Sequence, residues 1–419
     1  MVETQKQVTI DQHYVPRFYL KNFALVKGVG RKEKAFISFY QFEDEFYKEH
    51  IPTKSVCYKE YFYGEDGKVE NEFANREKEW ANVINEIIQN KQFVLDNKQK
   101  KLLKQFAIYQ YCRTLATYNH GKRMMSEMLS QTFINNNPGV NEEIVREIVT
   151  KKVDKQVNVA DVINSCDELV DLIEDLDIAI IRCNTSKKLI TSDMPVIVMN
   201  PFCVGKAGMA NVGIVILFPI SPEILVVIYD GKIYQNCKGD VVISNDSDVE
   251  KINMYQIISA EERILSQNVG ELEEYVQNKE LIAVRNTFCS ESKVNTSYDG
   301  FGTFVAAKSR SMRYLFDVSI FNLPKCLRKI PKNCREAFDR KYSYDAWISL
   351  LVRVYKIPEL LKQRAEFSQS DVKQRKEGYS KMLKVMEDYW EMPNEVRTIT
   401  PELMYKLKNV PTTFFPLDS

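Results

Sequence analysis

The stretch Gly213-Ile214-Val215-Ile216-Leu217-Phe218-Pro219-Ile220-Ser221-Pro222-Glu223-Ile224-Leu225-Val226-Val227-Ile228-Tyr229-Asp230-Gly231 decides the fold class. It holds two apolar runs of strand length, Gly213 to Phe218 and Ile224 to Tyr229, joined by a rigid proline-bounded connection. Asp230-Gly231 is a hairpin turn into Lys232 to Gln235. Working outward, Asp177 to Cys183 reads as another strand. Lys188 to Met199 reads as one more, interrupted at Thr191-Ser192-Asp193-Met194-Pro195. Strands this close, with no helices between them, predict an antiparallel sheet rather than a doubly wound parallel one.

Helical periodicity flanks this region on both sides. Upstream, Val69 to about Gln89 repeats apolar residues at Phe73, Trp80, Val83, Ile84, Ile87 and Ile88. A long helix is expected from Asn97 to Gln131, with Leu103, Phe106, Gln110, Arg113 and Thr117 on one stripe. Asn135 to Gly139 ends it, and Asn141 caps the next. Residues 160–175 form a further amphipathic helix. Downstream, Asp246 to about Asn268 and Gly270 to Lys279 return to helix. The polar stretch Ser290 to Gly302 is the candidate linker. Beyond it, segments around Met312 to Phe316, Tyr344 to Tyr355, Asp371 to Trp390 and Pro401 to Lys408 read as a helical accessory domain. The expected organisation is therefore an α+β core over 1–289, a linker over 290–302 and helices over 303–419. The core is a mostly antiparallel sheet flanked by helices, and the C-terminal extension is all-helical.

Near the N-terminus, His13-Tyr14-Val15-Pro16-Arg17-Phe18-Tyr19-Leu20-Lys21-Asn22-Phe23 concentrates rings in a short run and holds one of three histidines. Pro16 fixes the backbone, and the aromatics supply anchors, so the segment reads as a plug that orients His13 and Arg17. Alternating aromatics then predict a strand or hairpin over Ala35 to Tyr47, and a second aromatic patch ends at the Gly64–Gly67 turn.

Composition is that of a globular chain, 44% apolar and 27% charged, with formal charge +1. No global field points to a polyanion. Locally, Lys308 to Lys341 carries ten basic against three acidic residues, and Glu223 to Glu280 twelve acidic against five basic. The two segments either neutralise each other or leave a basic surface for polyanions. Nine scattered cysteines without zinc-ligand spacing, and no export signal, predict a reducing, cytoplasmic location. Neither GxGxxG nor GxxxxGK[ST] is present.

Several residue types invite chemistry. His13 is a candidate base or metal ligand. Arg113 and Gln110 fall on the buried stripe of a helix, and a buried guanidinium requires either an internal carboxylate or an anionic ligand. Glu72 and Glu79 share one helix face and are the carboxylates considered for it. Glu72 also stands four before Arg76, the spacing of an exposed helix pair. Asp193, with Ser192 before it, marks a strand break that either turns the chain or presents a carboxylate. Asn253 and Ser266 are placed on a helix.

The opening run resembles an uncharacterised, mainly bacterial family whose members begin H-[YF]-[VI]-P-x-x-x-L-x-x-F, domain of unknown function 4238. Ile190 to Val196 resembles its T-S-D-N-P-V motif, and Phe218 to Pro222 its F-P-L-S-P motif. Glu72, Glu79, Arg113, Asn253 and Ser266 fall in the matching order. The resemblance covers roughly residues 10–280. Met194 stands where the family pattern commonly has asparagine. The resemblance implies no established activity.

The residue inventory leads to a phosphodiester hydrolase, nuclease-like and metal-assisted or general-base. His13, Asp193 and Glu79 would serve as base or ligands to a divalent metal such as Mg²⁺ or Mn²⁺. Arg17, Gln110, Arg113, Ser192 and Asn253 would hold a nucleic acid or nucleotide. The alternatives are a non-catalytic nucleotide- or anion-binding or regulatory module, and a structural, partner-docking protein. No membrane partner is expected.

Overall fold

A computed structural model describes residues 9–290, apart from positions 29, 92–93, 157–158, 160–162, 164–165, 201–208, 210–212, 232–233 and 235–238. It also describes residues 293–298, 303–308 and 318–321. In chain order the N-terminal part comprises β1 (Asp11–His13), α1 (Arg17–Lys21), β2 (Leu25–Lys27), β3 (Lys34–Gln41), β4 (Phe46–Pro52) and β5 (Tyr58–Glu60). Helices α2 (Lys68–Gln89), α3 (Asn97–Cys112), α4 (Leu115–Asn136), α5 (Glu142–Gln156) and α6 (Cys166–Asp171) follow. Then come β6 (Asp177–Cys183), β7 (Thr191–Ser192), β8 (Ile197–Met199), β9 (Val215–Ser221), β10 (Ile224–Tyr229) and β11 (Gly239–Ile243). The last elements are α7 (Asp246–Ser259), β12 (Arg263–Ser266), α8 (Gly270–Val276), α9 (Lys279–Ser290), β13 (Lys293–Tyr298) and β14 (Thr303–Lys308).

The α+β class holds, with two five-stranded sheets where one was expected. The central sheet runs β11-β6-β10-β9-β8, antiparallel except for the parallel β11–β6 pair. The second runs β2-β3-β12-β7, with β4 on the opposite edge of β3. Both faces of the central sheet are covered, which is why its strands are continuous apolar runs rather than alternating ones. Ile178, Ile180, Ile216, Phe218, Val226 and Ile228 face a core shared with α1, α2 and α3. Ala179, Ile181, Leu217, Leu225 and Val227 face a second core shared with α7 and α9.

Several local expectations are corrected. The residues read as one interrupted strand, Lys188 to Met199, cross between the sheets: β7 belongs to the second and β8 to the central one. The long helix expected over Asn97 to Gln131 breaks at Arg113-Thr114, where the Thr114 side chain accepts from Thr117 N–H and caps α4. Strand β9 continues through Pro219 to Ser221. Pro219 lies beyond the residues that pair with β8, so its missing N–H costs no ladder bond. Ser266 sits on β12, not on a helix.

The expected linker over 290–302 contains β13, which pairs with β14 in a hairpin lying against α4. Residues 318–321 then rejoin the core: Val318 and Phe321 are buried, and Ser319 N–H donates to Asp248 at 3.0 Å. The chain thus returns to the first unit beyond the expected linker. The four helical segments expected from Met312 onward lie outside the described residues, as does the strand expected over Lys232 to Gln235 except for Tyr234, which is buried and not in a strand.

Candidate functional site

The residues singled out from sequence fall into two buried networks and one open cavity. The first network surrounds the crossing between β7 and β8. Asp193 is fully buried, and its carboxylate accepts the main-chain N–H groups of Glu261 (2.9 Å), Glu262 (2.6 Å) and Arg263 (3.2 Å). Its own N–H donates to Arg263 O at 3.1 Å. Burial pushes its carboxyl up to about 6, against the opposing effect of the Glu262 and Glu261 N–H groups. Ser192 donates to Gln256 Oε1 at 2.8 Å, and Gln256 Nε2 donates to Pro195 O. Asn253 accepts from Ile190 N–H at 3.0 Å and donates toward Lys188 O and the Tyr275 hydroxyl. Met194 directs its sulfur to Thr114 Oγ1 at 3.0 Å, so the thioether meets the cap of α4. A carboxylate and amides engaged this way hold strands and helices together. They leave little to offer a substrate.

The second network ties the opening run to α3. Gln110 donates to Tyr14 O at 3.0 Å and accepts from Arg113 Nε at 2.8 Å. The Tyr63 hydroxyl donates to His13 O at 2.9 Å. Arg113 is 1% exposed, lies 4.7 Å over the Phe73 ring and pairs with Glu77 at 2.8 Å. The internal carboxylate required for Arg113 is therefore Glu77, which sequence reasoning missed in favour of Glu72 and Glu79. Glu72 pairs with Arg76 on the exposed side of α2. Glu79 is exposed and has no hydrogen bond or ion pair among the described residues, so nothing places it with the other candidates. Glu70 joins the Arg113 cluster, its carboxyl raised by burial and then by Glu77.

The cavity lies beside the opening run. Its volume is about 700 Å³, and it is bounded by α1, the β2–β3 turn and the end of β4. Arg17, Lys21, Lys34 and Lys54 line it, with Glu33 as its one carboxylate among the lining residues. Glu33 pairs with Lys21. Arg17, Lys34 and Lys54 have no carboxylate partner among the described residues. Phe18 and Phe36 add aromatic surface. The wall depends on Gly28 at φ +91°, where a Cβ would fall 2.6 Å from Lys32 O, so only glycine lets the turn close.

His13 does not line the cavity, but its ring neighbours Arg17, Thr53 and Lys54, which do. Burial, then the Arg17 guanidinium, hold its pKa below the ordinary 6.5. Its Nε2 is buried without a hydrogen-bond partner among the described residues. Tyr63 and Gln110 thus tie His13 and Arg113 to the main chain of residues 13–14, while Asp193 is held in the other network by residues 261–263. Of the residues singled out from sequence, Arg17 is the one that lines the cavity, and the half-buried His13 stands next to it. The expected Mg²⁺ or Mn²⁺ finds no group of three His, Cys, Asp or Glu side chains among the described residues.

The basic cavity was legible and overlooked. From Arg17 to Lys34 the chain carries six basic residues against one acidic.

The fold and these networks define a two-sheet α+β domain whose marked motifs are joined through its core. The chain belongs to the family of proteins of unknown function DUF4238, whose model matches residues 11–269. That span includes the opening run, the β7–β8 crossing and α7. No curated protein and no solved structure matches the chain. No helix of the described residues is long and apolar enough to cross a membrane.

Proposed function

We propose that this domain is a binding module for phosphate-bearing ligands, with the cavity between α1 and the β2–β3 turn as its site. One observation carries the reading: Arg17, Lys34 and Lys54 converge on one cavity with no carboxylate partner among the described residues. Arginine offers a planar two-pronged donor to phosphate oxygens, and the lysines supply point charges. Five free thiols among the described residues support a reducing, cytoplasmic setting.

A hydrolytic form of this reading is favoured by His13, whose lowered pKa keeps it neutral near pH 7 and able to accept a proton beside the cavity. In that form His13 is the base and Arg17 holds the phosphate. Asp193 is left out, because its oxygens already hold main-chain N–H groups.

Calorimetric titration with tripolyphosphate tests the module. Binding is expected to weaken as salt rises, and to fall at least about tenfold in a Lys34→Glu/Lys54→Glu double variant. Failure of pyrophosphate, tripolyphosphate and ATP all to bind would overturn it. Products formed by wild-type protein but not by His13→Gln, with binding retained, would favour the hydrolytic form.

A further inference from the structure

We propose that the cavity's ligand is a single-stranded nucleic acid, gripped through its backbone and stacked through a base, without reading of sequence. This rests on the phosphate-binding reading above and names the class of polyanion.

Two features separate an extended strand from a free nucleotide. The positive charge does not stop at the cavity rim. Lys27, on β2, holds its ammonium 5.8 Å from the Phe36 ring centre, and Lys32 is exposed on the same β2–β3 turn. With Arg17, Lys34 and Lys54 these make a basic track from α1 along the hairpin, longer than one phosphate group needs. Strands bind such tracks by displacing counterions along their backbones.

The second feature is what the cavity wall presents. Phe36 is half-buried on β3, between Leu25 of β2 and Pro52 of β4, and shares the cavity with Phe18. An aromatic face beside phosphate-binding cations is the arrangement on which bases of a single strand stack, whatever their identity. Among the described lining residues there is no asparagine, glutamine or aspartate, Glu33 is engaged by Lys21, and Thr53 supplies the one side-chain hydroxyl. A site selective for one nucleotide needs such groups for the base edge and the ribose hydroxyls. Here the wall supplies charge and rings, which suits a sequence-tolerant strand.

The test is fluorescence anisotropy with full-length protein and labelled oligothymidylate, against tripolyphosphate, ATP and duplex DNA as competitors. Oligothymidylate is expected to bind more tightly than ATP or duplex, with affinity falling steeply as salt rises. Lys34→Glu and Lys27→Glu should each weaken it and flatten the salt dependence. Phe36→Leu, checked for folding by circular dichroism, should weaken oligothymidylate about tenfold more than tripolyphosphate. Lys151→Glu, on the distant α5, serves as the control and should change neither.

If tripolyphosphate binds but oligothymidylate binds no better than ATP, the inference fails while the phosphate-binding reading stands. Duplex binding as tight as single strand, or a Phe36→Leu variant equally affected for both ligands, also overturns it. If no phosphate compound binds, both readings fail.

Discussion

The Tyr19 hydroxyl donates to the Pro219 carbonyl oxygen at 2.6 Å, and the Thr191 hydroxyl lies 2.8 Å from the Tyr19 phenol oxygen. One phenol therefore joins the opening run, the strand leading to the β7–β8 crossing and the proline-containing end of β9. The Pro219 carbonyl is free to accept because β9 has passed the end of β8 at this point. Tyr19 is fully buried, and burial raises its pKa, so it stays a donor at every physiological pH.

Tyr19→Phe keeps the ring and deletes only the hydroxyl, stranding the Pro219 carbonyl. It should cost about 1–3 kcal/mol, the penalty of a buried unpaired polar group. Urea unfolding measures it. Thr191→Val added to Tyr19→Phe should cost less than Thr191→Val alone, because their shared contact is already gone. A Tyr19→Phe midpoint indistinguishable from wild type would show that the hydroxyl contributes nothing.

Asp193→Asn tests whether that carboxylate is a structural clamp. An amide places an NH₂ against main-chain N–H groups that now donate to oxygen, so a loss of about 1–3 kcal/mol at pH 7 is expected. The pH dependence gives a second handle. Its folded pKa of about 6 exceeds the ordinary carboxylate value, so between about pH 4 and pH 6 the folded state holds a proton that the unfolded state has released. Its contribution therefore makes stability fall as pH rises through that window. Unfolding curves across the range should show this slope in wild type and lose it in Asp193→Asn.

Much of the architecture was open to a reader of the sequence, for local reasons. The anchors at Tyr14, Tyr19, Leu20 and Phe23 announce a buried plug, and the strands of 213–229 carry their apolar pattern in plain view. What escaped was non-local. That Thr191-Ser192 and Ile197 to Met199 belong to different sheets depends on which partner strands arrive, and β12 arrives from seventy residues away. The α3–α4 break escaped because helical spacing continues through Gln110, Arg113 and Thr117, leaving Thr114 as the only cue. Glu77 escaped because the offset between α2 and α3 selects Arg113's partner. The cavity is different: its cations lie within residues 17–54, and the excess over 17–34 needed only to be counted.

Arg113 and Glu77 form a buried pair on one side only: Arg113 is 1% exposed and the Glu77 side chain 28%. Glu77→Ala leaves the guanidinium held by Gln110 and stacked on Phe73, and should cost near the lower end of the roughly 3–5 kcal/mol range for breaking such pairs. Arg113→Met should cost a comparable amount by orphaning the Gln110 oxygen. A double-mutant cycle should return a coupling of at least about 1 kcal/mol. Additive losses would mean that Arg113 stabilises the fold through Phe73 and Gln110 instead.

His13 should titrate below 6.5 in the folded protein, because burial and then Arg17 disfavour its charged form. The unfolded state, titrating near 6.5, takes up a proton before the folded state does as pH falls. Between the lowered folded value and about 6.5, His13 therefore makes stability rise with pH, opposite in sign to Asp193. Imidazole NMR shifts followed against pH give the midpoint directly. Arg17→Gln should move it upward but not fully to 6.5, since burial remains. Tripolyphosphate should raise it as well, because an anion held by Arg17 and Lys54 offsets the guanidinium and favours the imidazolium. A midpoint at or above 6.5 without ligand would contradict the buried placement of this ring. A midpoint unmoved by a bound polyphosphate would separate His13 from the cavity and remove the basis for its role as a base.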